Sequence, residues 1–152
     1  MIKNNDLLKG VGLLLDENQK LKKQIEKLSL QKAGNLKVEL LQKANDINGV
    51  KFISSLVELD NKSIKNLAFD LTKNEDNLVL VLATREADKA TLTVAISKNL
   101  VEQKDLHAGK IIRDISKEIN GGGGGQAFFA TAGGKNQKGI NNAFKKVVEL
   151  LS

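Results

Sequence analysis

Apolar residues recur at Leu7, Val11, Leu14, Leu21, Ile25 and Leu28 in alternating steps of four and three, with Asn18 filling the remaining place. This is a heptad seam: Val11 and Ile25 are β-branched residues at a, and leucine stands at every d. Asn18 sits at an a position, where a buried amide sets register and strand number. It reads equally as a surface residue. The seam predicts a helix from about residue 4 to residue 32, with Lys20, Lys22, Lys23, Glu26 and Lys27 on its solvated face. Ala33-Gly34-Asn35 then reads as a helix stop. A second apolar stripe at Leu36, Leu40, Ala44 and Ile47 predicts a shorter helix closing at Asn48-Gly49. Residues 1–48 are thus expected to be a helical arm, either a helical hairpin or a coiled coil. The shorter helix covers only part of the seam. Partial hairpin coverage is therefore expected together with a dimer, or a contact to a longer parent protein, through Val11, Leu14, Asn18, Leu21, Ile25 and Leu28.

The period changes at Gly49. Val50, Phe52 and Ser54 alternate with Lys51, Ile53 and Ser55, which predicts a strand. Asp60 stands as the N-cap of a helix carrying Ile64, Leu67, Ala68 and Leu71 on one side. Leu78 to Ala83 is an unbroken apolar run, as expected of a central strand covered on both faces. After the charged turn Arg85 to Lys89, Thr91 to Ser97 alternates and predicts the other half of a hairpin. Asp105 is expected to cap a helix with Ala108, Ile111, Ile112, Ile115 and Ile119 on its buried stripe. Phe128 to Thr131 reads as a short strand. Gly133-Gly134 is then expected to lead into a helix with Ile140, Ala143, Phe144, Val147, Val148 and Leu151 inward. The order β-α-β-β-α-Gly loop-(short β)-α over residues 49–152 is an α/β domain of two or three layers.

The loop in that order, residues 121–134, is the least ordinary stretch. Gly121, Gly122, Gly123, Gly124 and Gly125 are consecutive, and with Gly133 and Gly134 they make up seven of the chain's 13 glycines. Such a run is expected to lack regular structure, and to persist where backbone takes positive φ or where another molecule comes closer than a Cβ allows. A flexible linker is the plainer reading, although apolar patterning on both sides weighs against it. Between Ile119 and Val148 there is no Asp or Glu, while Lys135, Lys138, Lys145 and Lys146 fall within that window. Net charge is +6, with the excess at the two ends of the chain and a neutral middle, which suits an anionic partner such as nucleic acid. Glycine amides, the helix start expected after Gly134, Lys135 and Lys138 point to phosphate. Phe128 or Phe129 points to the face of an unpaired base. Adjacent strand residues face opposite ways, so one of the two is expected inside. Phe52, Phe69 and Phe144 fall on core positions.

Catalysis finds little support. The chain has one histidine, His107, and no cysteine, so sites built on thiolates or several histidines are excluded. His107 has no Ser or Cys neighbour and is expected chiefly as a first-turn helix residue. A Walker motif fails because Gly134-Lys135 is followed by Asn136 rather than Ser or Thr. No apolar run approaches the ~18 residues of a membrane span, and no signal-peptide pattern opens the chain. A soluble, cytoplasmic protein is expected. The abrupt start in a heptad suggests a piece of something longer.

His107-Ala108-Gly109 opening a helix, then Gly121 to Gly125, then Ala130-Thr131-Ala132-Gly133-Gly134, resembles the C-terminal domain of alanyl-tRNA synthetases, within the DHH-associated family. The resemblance extends over the whole chain: the heptad arm is similar to the family's helical subdomain, and Asn48-Gly49-Val50-Lys51 to its junction. It implies a non-catalytic module that grips the elbow of an alanine-specific tRNA and in some members dimerises. It adds His107 and the glycine motif as site residues. Alanylation with ATP and zinc-dependent editing would then belong to upstream domains, and no cofactor is expected in this segment. Two other readings stay open. One is the substrate-binding domain of a DHH-family phosphoesterase acting on oligonucleotides, although the heptad arm argues against it. The other is an assembly module whose heptad is the working part.

Overall fold

The computed structural model describes residues 4–152, apart from the side chains of residues 4–8, 29, 30 and 33; Leu7 of the seam therefore lies outside the described side chains. The arm is a single helix, α1 (Asn4–Gln42), which corrects the expected break at Ala33-Gly34-Asn35. One mid-helix glycine costs only about 1 kcal/mol relative to alanine, and no proline is present to force a stop. The docking of the last turns carries the helix through. Leu40 is fully buried, with Leu36 and Leu41 partly buried beside it. Lys37 bridges Asp70 at 2.7 Å, and Lys32 Nζ donates to the Glu58 carbonyl at 2.9 Å. At 1.5 Å per residue the helix runs about 58 Å.

The expected second helix is likewise corrected. Its last residues form β1 (Asn45–Ile47), paired antiparallel with β2 (Val50–Leu56) across the two-residue turn Asn48-Gly49. Both turn residues have positive φ, 52° and 82°. Asn-Gly in this conformation matches the twist of the flanking strands, so the pair is a hairpin turn rather than a helix stop. The sheet therefore begins ahead of Gly49, and among the described residues no helical hairpin covers the seam.

From β2 the chain crosses over through α2 (Asn61–Asn74) to β3 (Leu78–Glu86), which lies parallel to β2, and returns as the antiparallel β4 (Lys89–Ile96). A short helix that sequence reading missed, α3 (Lys98–Lys104), precedes α4 (Ala108–Ser116) and a 3-10 turn over Lys117–Ile119. Then come β5 (Gly121–Gly125), β6 (Phe129–Gly134), a 3-10 turn over Gln137–Gly139 and α5 (Ile140–Leu151). The six strands lie in the order β1-β2-β3-β4-β6-β5.

The sheet carries a core on each face, which makes three layers. Val79, Val81, Leu92, Val94 and Ile96 pack under Ile111, Ile112, Ile115, Ile140 and Val147 of α4 and α5. Ile53, Leu80 and Leu82 pack under Leu40 of α1 and Ile64, Leu67 and Leu71 of α2. The unbroken run Leu78–Ala83 is buried throughout because it serves both.

Asp60 caps α2 as expected: its carboxylate accepts from the Ser63 hydroxyl at 2.5 Å and the Ser63 amide at 3.2 Å. The hydroxyl first, then the amide, holds the Asp60 carboxyl below its ordinary value of 3.8. A depressed carboxyl adds stability above its unfolded value, and that contribution is lost as pH falls through the folded value. Asp60→Ala should cost about 1 kcal/mol in urea unfolding at pH 7. The gap from wild type should close as pH drops below about 4.

Candidate nucleic-acid interface

The five glycines are not a loop but an edge strand, which corrects the expectation of irregular backbone. Each pairs with β6, from Gly121 opposite Gly134 to Gly125 opposite Ala130. Positive φ is not the reason for them; Gly49 is the glycine with that conformation among the described residues. Close approach is the reason, and it alternates. A Cβ on Gly121 would drive into the Gly133 carbonyl, one on Gly123 into Thr131 and Ala132, and one on Gly125 would sit 2.5 Å from the Ala130 Cα. The neighbour that demands glycine at these three places is the protein's own β6. Gly122, Gly124 and Gly133 differ: a Cβ there would meet nothing within 4 Å.

The Gln126 amide donates to the Phe129 carbonyl at 2.8 Å and starts the ladder. Antiparallel pairs alternate between bonded and unbonded, so Gly122 and Gly124 bond inward while the amides and carbonyls of Gly121, Gly123 and Gly125 face out from the sheet. That outer edge forms no hydrogen bond among the described residues. The run is not sealed: Gly122, Gly123 and Gly125 are exposed, and Gly121 and Gly124 are half-buried.

The expected site residues divide between the two ends of this hairpin. Phe128 lies at the tip, 44% exposed, and Phe129 follows as the first, half-buried residue of β6. Phe69, expected in the core, is half-buried and joins them, with ring centroids 5.0 Å from Phe129 and 6.3 Å from Phe128. Lys65 Nζ stands 5.8 Å from the Phe69 ring centroid, within cation–π range. His107 is near the same tip on the α4 side. It, rather than Asp105, caps α4: its Nδ1 accepts from the Lys110 amide at 3.3 Å, while Asp105 ends α3 in a left-handed conformation. Gly109 admits the tip, donating to the Gln126 carbonyl at 3.1 Å. Lys135 and Lys138 lie beyond the other end and are exposed. Gly133-Gly134 belongs to β6 and does not open a helix; Lys135, Asn136 and a 3-10 turn intervene before α5. The helix N-terminus expected to take a phosphate there is thus absent from the glycine pair. Asn136 instead ties this connection to the Ile119 and Glu118 carbonyls at 2.9 and 3.2 Å.

Sequence reading overlooked α4 and the start of the 3-10 turn after it as a source of charge. Lys110, Arg113 and Lys117 are exposed opposite the buried isoleucines and form no ion pair among the described residues. Their spacing of three and four was legible as one helix face. α4 packs on β5, β6 and β4 through those isoleucines, so this stripe lies on the outer side of the helix that covers the glycine strand. Lys146 is engaged elsewhere, with Asp114 and Glu118. A larger cleft of about 670 Å³ lies between α1 and α2, but Glu26, Asp60 and Asp70 line it with Lys37 and Lys62, so its charge is mixed. Among the described residues there is no His/Cys/Asp/Glu group that could hold a metal, and no helix is long and apolar enough to cross a membrane.

Gly123→Ala should destabilise the domain by about 1–3 kcal/mol through overpacking. Gly122→Ala, one residue away, should stay within about 0.5 kcal/mol of wild type. Thermal denaturation of both variants reads the contrast.

An edge strand of glycine with aromatics at its tip and an exposed basic stripe on the helix that covers it defines an α/β module with an open strand edge. The chain belongs to the DHHA1 domain family, whose model matches residues 49–152. It is similar to the alanine–tRNA ligase of Christiangramia forsetii, 50% identical over 148 residues, covering 97% of this chain and 17% of that protein. It is also similar to that of Bacteroides fragilis, 44% identical over 146 residues, covering 95% and 17%. The chain therefore spans 17% of the length of these curated relatives. Among solved structures, the C-Ala domain of Aquifex aeolicus alanyl-tRNA synthetase matches with a TM-score of 0.67 at 28% identity, over 72% of this chain and 97% of that one. A DHH-domain structure from a family of ribosomal proteins shares the fold alone, with a TM-score of 0.52 at 17% identity, over 80% and 31%.

Proposed function

We propose that this chain is the C-terminal tRNA-binding module of an alanine–tRNA ligase, gripping the elbow of an alanine-specific tRNA in the cytoplasm. Its chemistry would lie elsewhere: ATP-dependent alanylation and zinc-dependent editing belong to upstream domains of the longer protein. The observation that carries the reading is the rim around β5. Outward amides of Gly121, Gly123 and Gly125 run along an unpaired edge, and Lys110, Arg113 and Lys117 lie on the exposed side of the helical segment packed on that strand. Backbone donors along an edge and cations on the helix packed against it suit phosphate oxygens, and such contacts read shape rather than base sequence. Likeness to alanine–tRNA ligases extends over the arm as well as the globular part, which supports this reading over an oligonucleotide phosphoesterase.

The test is the salt dependence of binding between the isolated chain and a tRNA transcript. Affinity should fall steeply and linearly on a log–log plot against salt. Replacing Lys110, Arg113 and Lys117 by Ala should weaken binding across tRNAs alike and reduce the slope by about 3. A slope unchanged in that variant would move the interface away from α4.

A second activity rests on the arm. Val11, Leu14, Leu21, Ile25 and Leu28 are 53–67% exposed. With no hairpin to cover it, the seam pairs with a second copy of α1, and Asn18 sets the register. Sedimentation equilibrium should give a dimer for wild type and a monomer for Leu21→Lys/Ile25→Lys. A wild-type monomer at high concentration would end this part of the proposal.

A further inference from the structure

Resting on the RNA-binding reading, we propose that the open face of β6 and β5, where it meets α2 and β4, takes one unpaired nucleobase, in the pocket between Phe129 and Lys65. α2 covers this sheet face over β2 and β3 and reaches β4, where Thr93 is buried and Thr91 half-buried; past it the face opens over β6 and β5, where Thr131, Gly122 and Gly133 are exposed. Thr93 lies opposite Thr131, which lies opposite Gly124; Thr91 lies opposite Gly133, which lies opposite Gly122. Side chains alternate along a strand, so these two rows share one face with Phe129. Asn61 and Lys65 of α2 wall the rows on one side, and with Thr91, Thr93, Thr131 and Phe129 they line a pocket of about 270 Å³. That is below the ~300–1,000 Å³ of pockets for drug-sized ligands, and suits a single heterocycle. On the other side the face continues as Gly122, Gly124 and Gly133, bare of side chains.

The lining has the chemistry of a base site. Phe129, backed by Phe69, offers an aromatic face for stacking. The Thr91 and Thr131 hydroxyls, half-buried and exposed, and the exposed Asn61 amide both donate and accept, as base edges require. Lys65 forms no ion pair among the described residues and is free to meet a phosphate. The nearby Asp60 carboxylate is taken up by Ser63.

The bare glycines strengthen the assignment. Gly121, Gly123 and Gly125 are explained by β6, but nothing inside the protein excludes a side chain from Gly122, Gly124 or Gly133. Their smoothness leaves room for a ribose and phosphate to lie flat between the pocket and the outer edge of β5. The base enters from that edge, while its backbone stays on the rim. Strands are spaced ~4.8 Å apart, so Thr93 of β4 lies about 10 Å from β5, a nucleotide's span.

The test uses the whole chain, a tRNA transcript, and the four nucleoside 5′-monophosphates as probes. One or more monophosphates should shift the NMR signals of the Thr91, Thr93 and Thr131 methyls in wild type. Thr131→Val, which keeps shape and removes the hydroxyl, should weaken that mononucleotide at least fivefold. Gly122→Val/Gly124→Val should weaken the tRNA at least tenfold, with the circular dichroism spectrum unchanged. If wild type binds tRNA but no monophosphate moves the threonine methyls, and Thr131→Val and the filled variant bind tRNA as wild type does, the pocket is overturned while RNA binding stands. If wild type binds no tRNA even at low salt, both fall. The methyl shifts and Thr131→Val decide the question even if the valine pair unfolds.

Discussion

The approach of β5 to β6 is so close that three alternate positions have no space for a Cβ. This contact closes the far side of the sheet, and much else follows from it. It requires glycine at Gly121, Gly123 and Gly125, and through the antiparallel alternation it turns their free amides outward. It brings Phe129 over the second core and leaves Phe128 at the tip. It also permits α4 to pack beside the strand, since Gly109 admits the Gly125 carbonyl where a Cβ would lie 2.9 Å away. One steric demand thus gives a backbone edge, an aromatic tip and a neighbouring basic helix.

Most of the globular part was legible in its apolar periods. Leu78–Ala83 announced a doubly covered strand, and α2 and α5 bury Leu67 and Val147 as their stripes require, although Val148, expected inward, is exposed. What failed shares a cause: glycine and asparagine carry several meanings. Gly34 reads as a stop, yet its helix runs on because Leu36 and Leu40 dock against the body. Asn48-Gly49 reads as a helix end or as a hairpin turn, and only the pairing of Ile47 with Val50 decides. The glycine run has no side-chain period, so strand pairing in it is invisible until its neighbour is placed.

The candidate site was legible in composition and less so in arrangement. The glycines, Phe128 and Phe129 do meet at one hairpin, but Lys135 and Lys138 lie beyond its opposite end. Gly134 ends a strand and starts no helix. Phe69 looked structural because it adjoins the buried stripe of α2; its ring sits at the rim of that stripe, where β6 begins. The cations of α4 carry no such signal, because exposed Lys and Arg opposite a buried apolar stripe are ordinary for any amphipathic helix, and only the packing of α4 on β5 brings it to the glycines.

The way α1 enters the body makes it a lever. Its last turns are clamped by Leu40 and by the Lys37–Asp70 pair, and the hairpin after it is pinned to α5 and α3, where Asn48 Nδ2 donates to the Leu151 carbonyl and Lys104 Nζ to the Asn48 carbonyl. The fulcrum is narrow, and the shaft beyond it is about 40 Å long at 1.5 Å per residue. A tilt of a few degrees at Leu40 sweeps the distal seam through several ångströms. The direction of the distal seam is therefore set at the few contacts around Leu40.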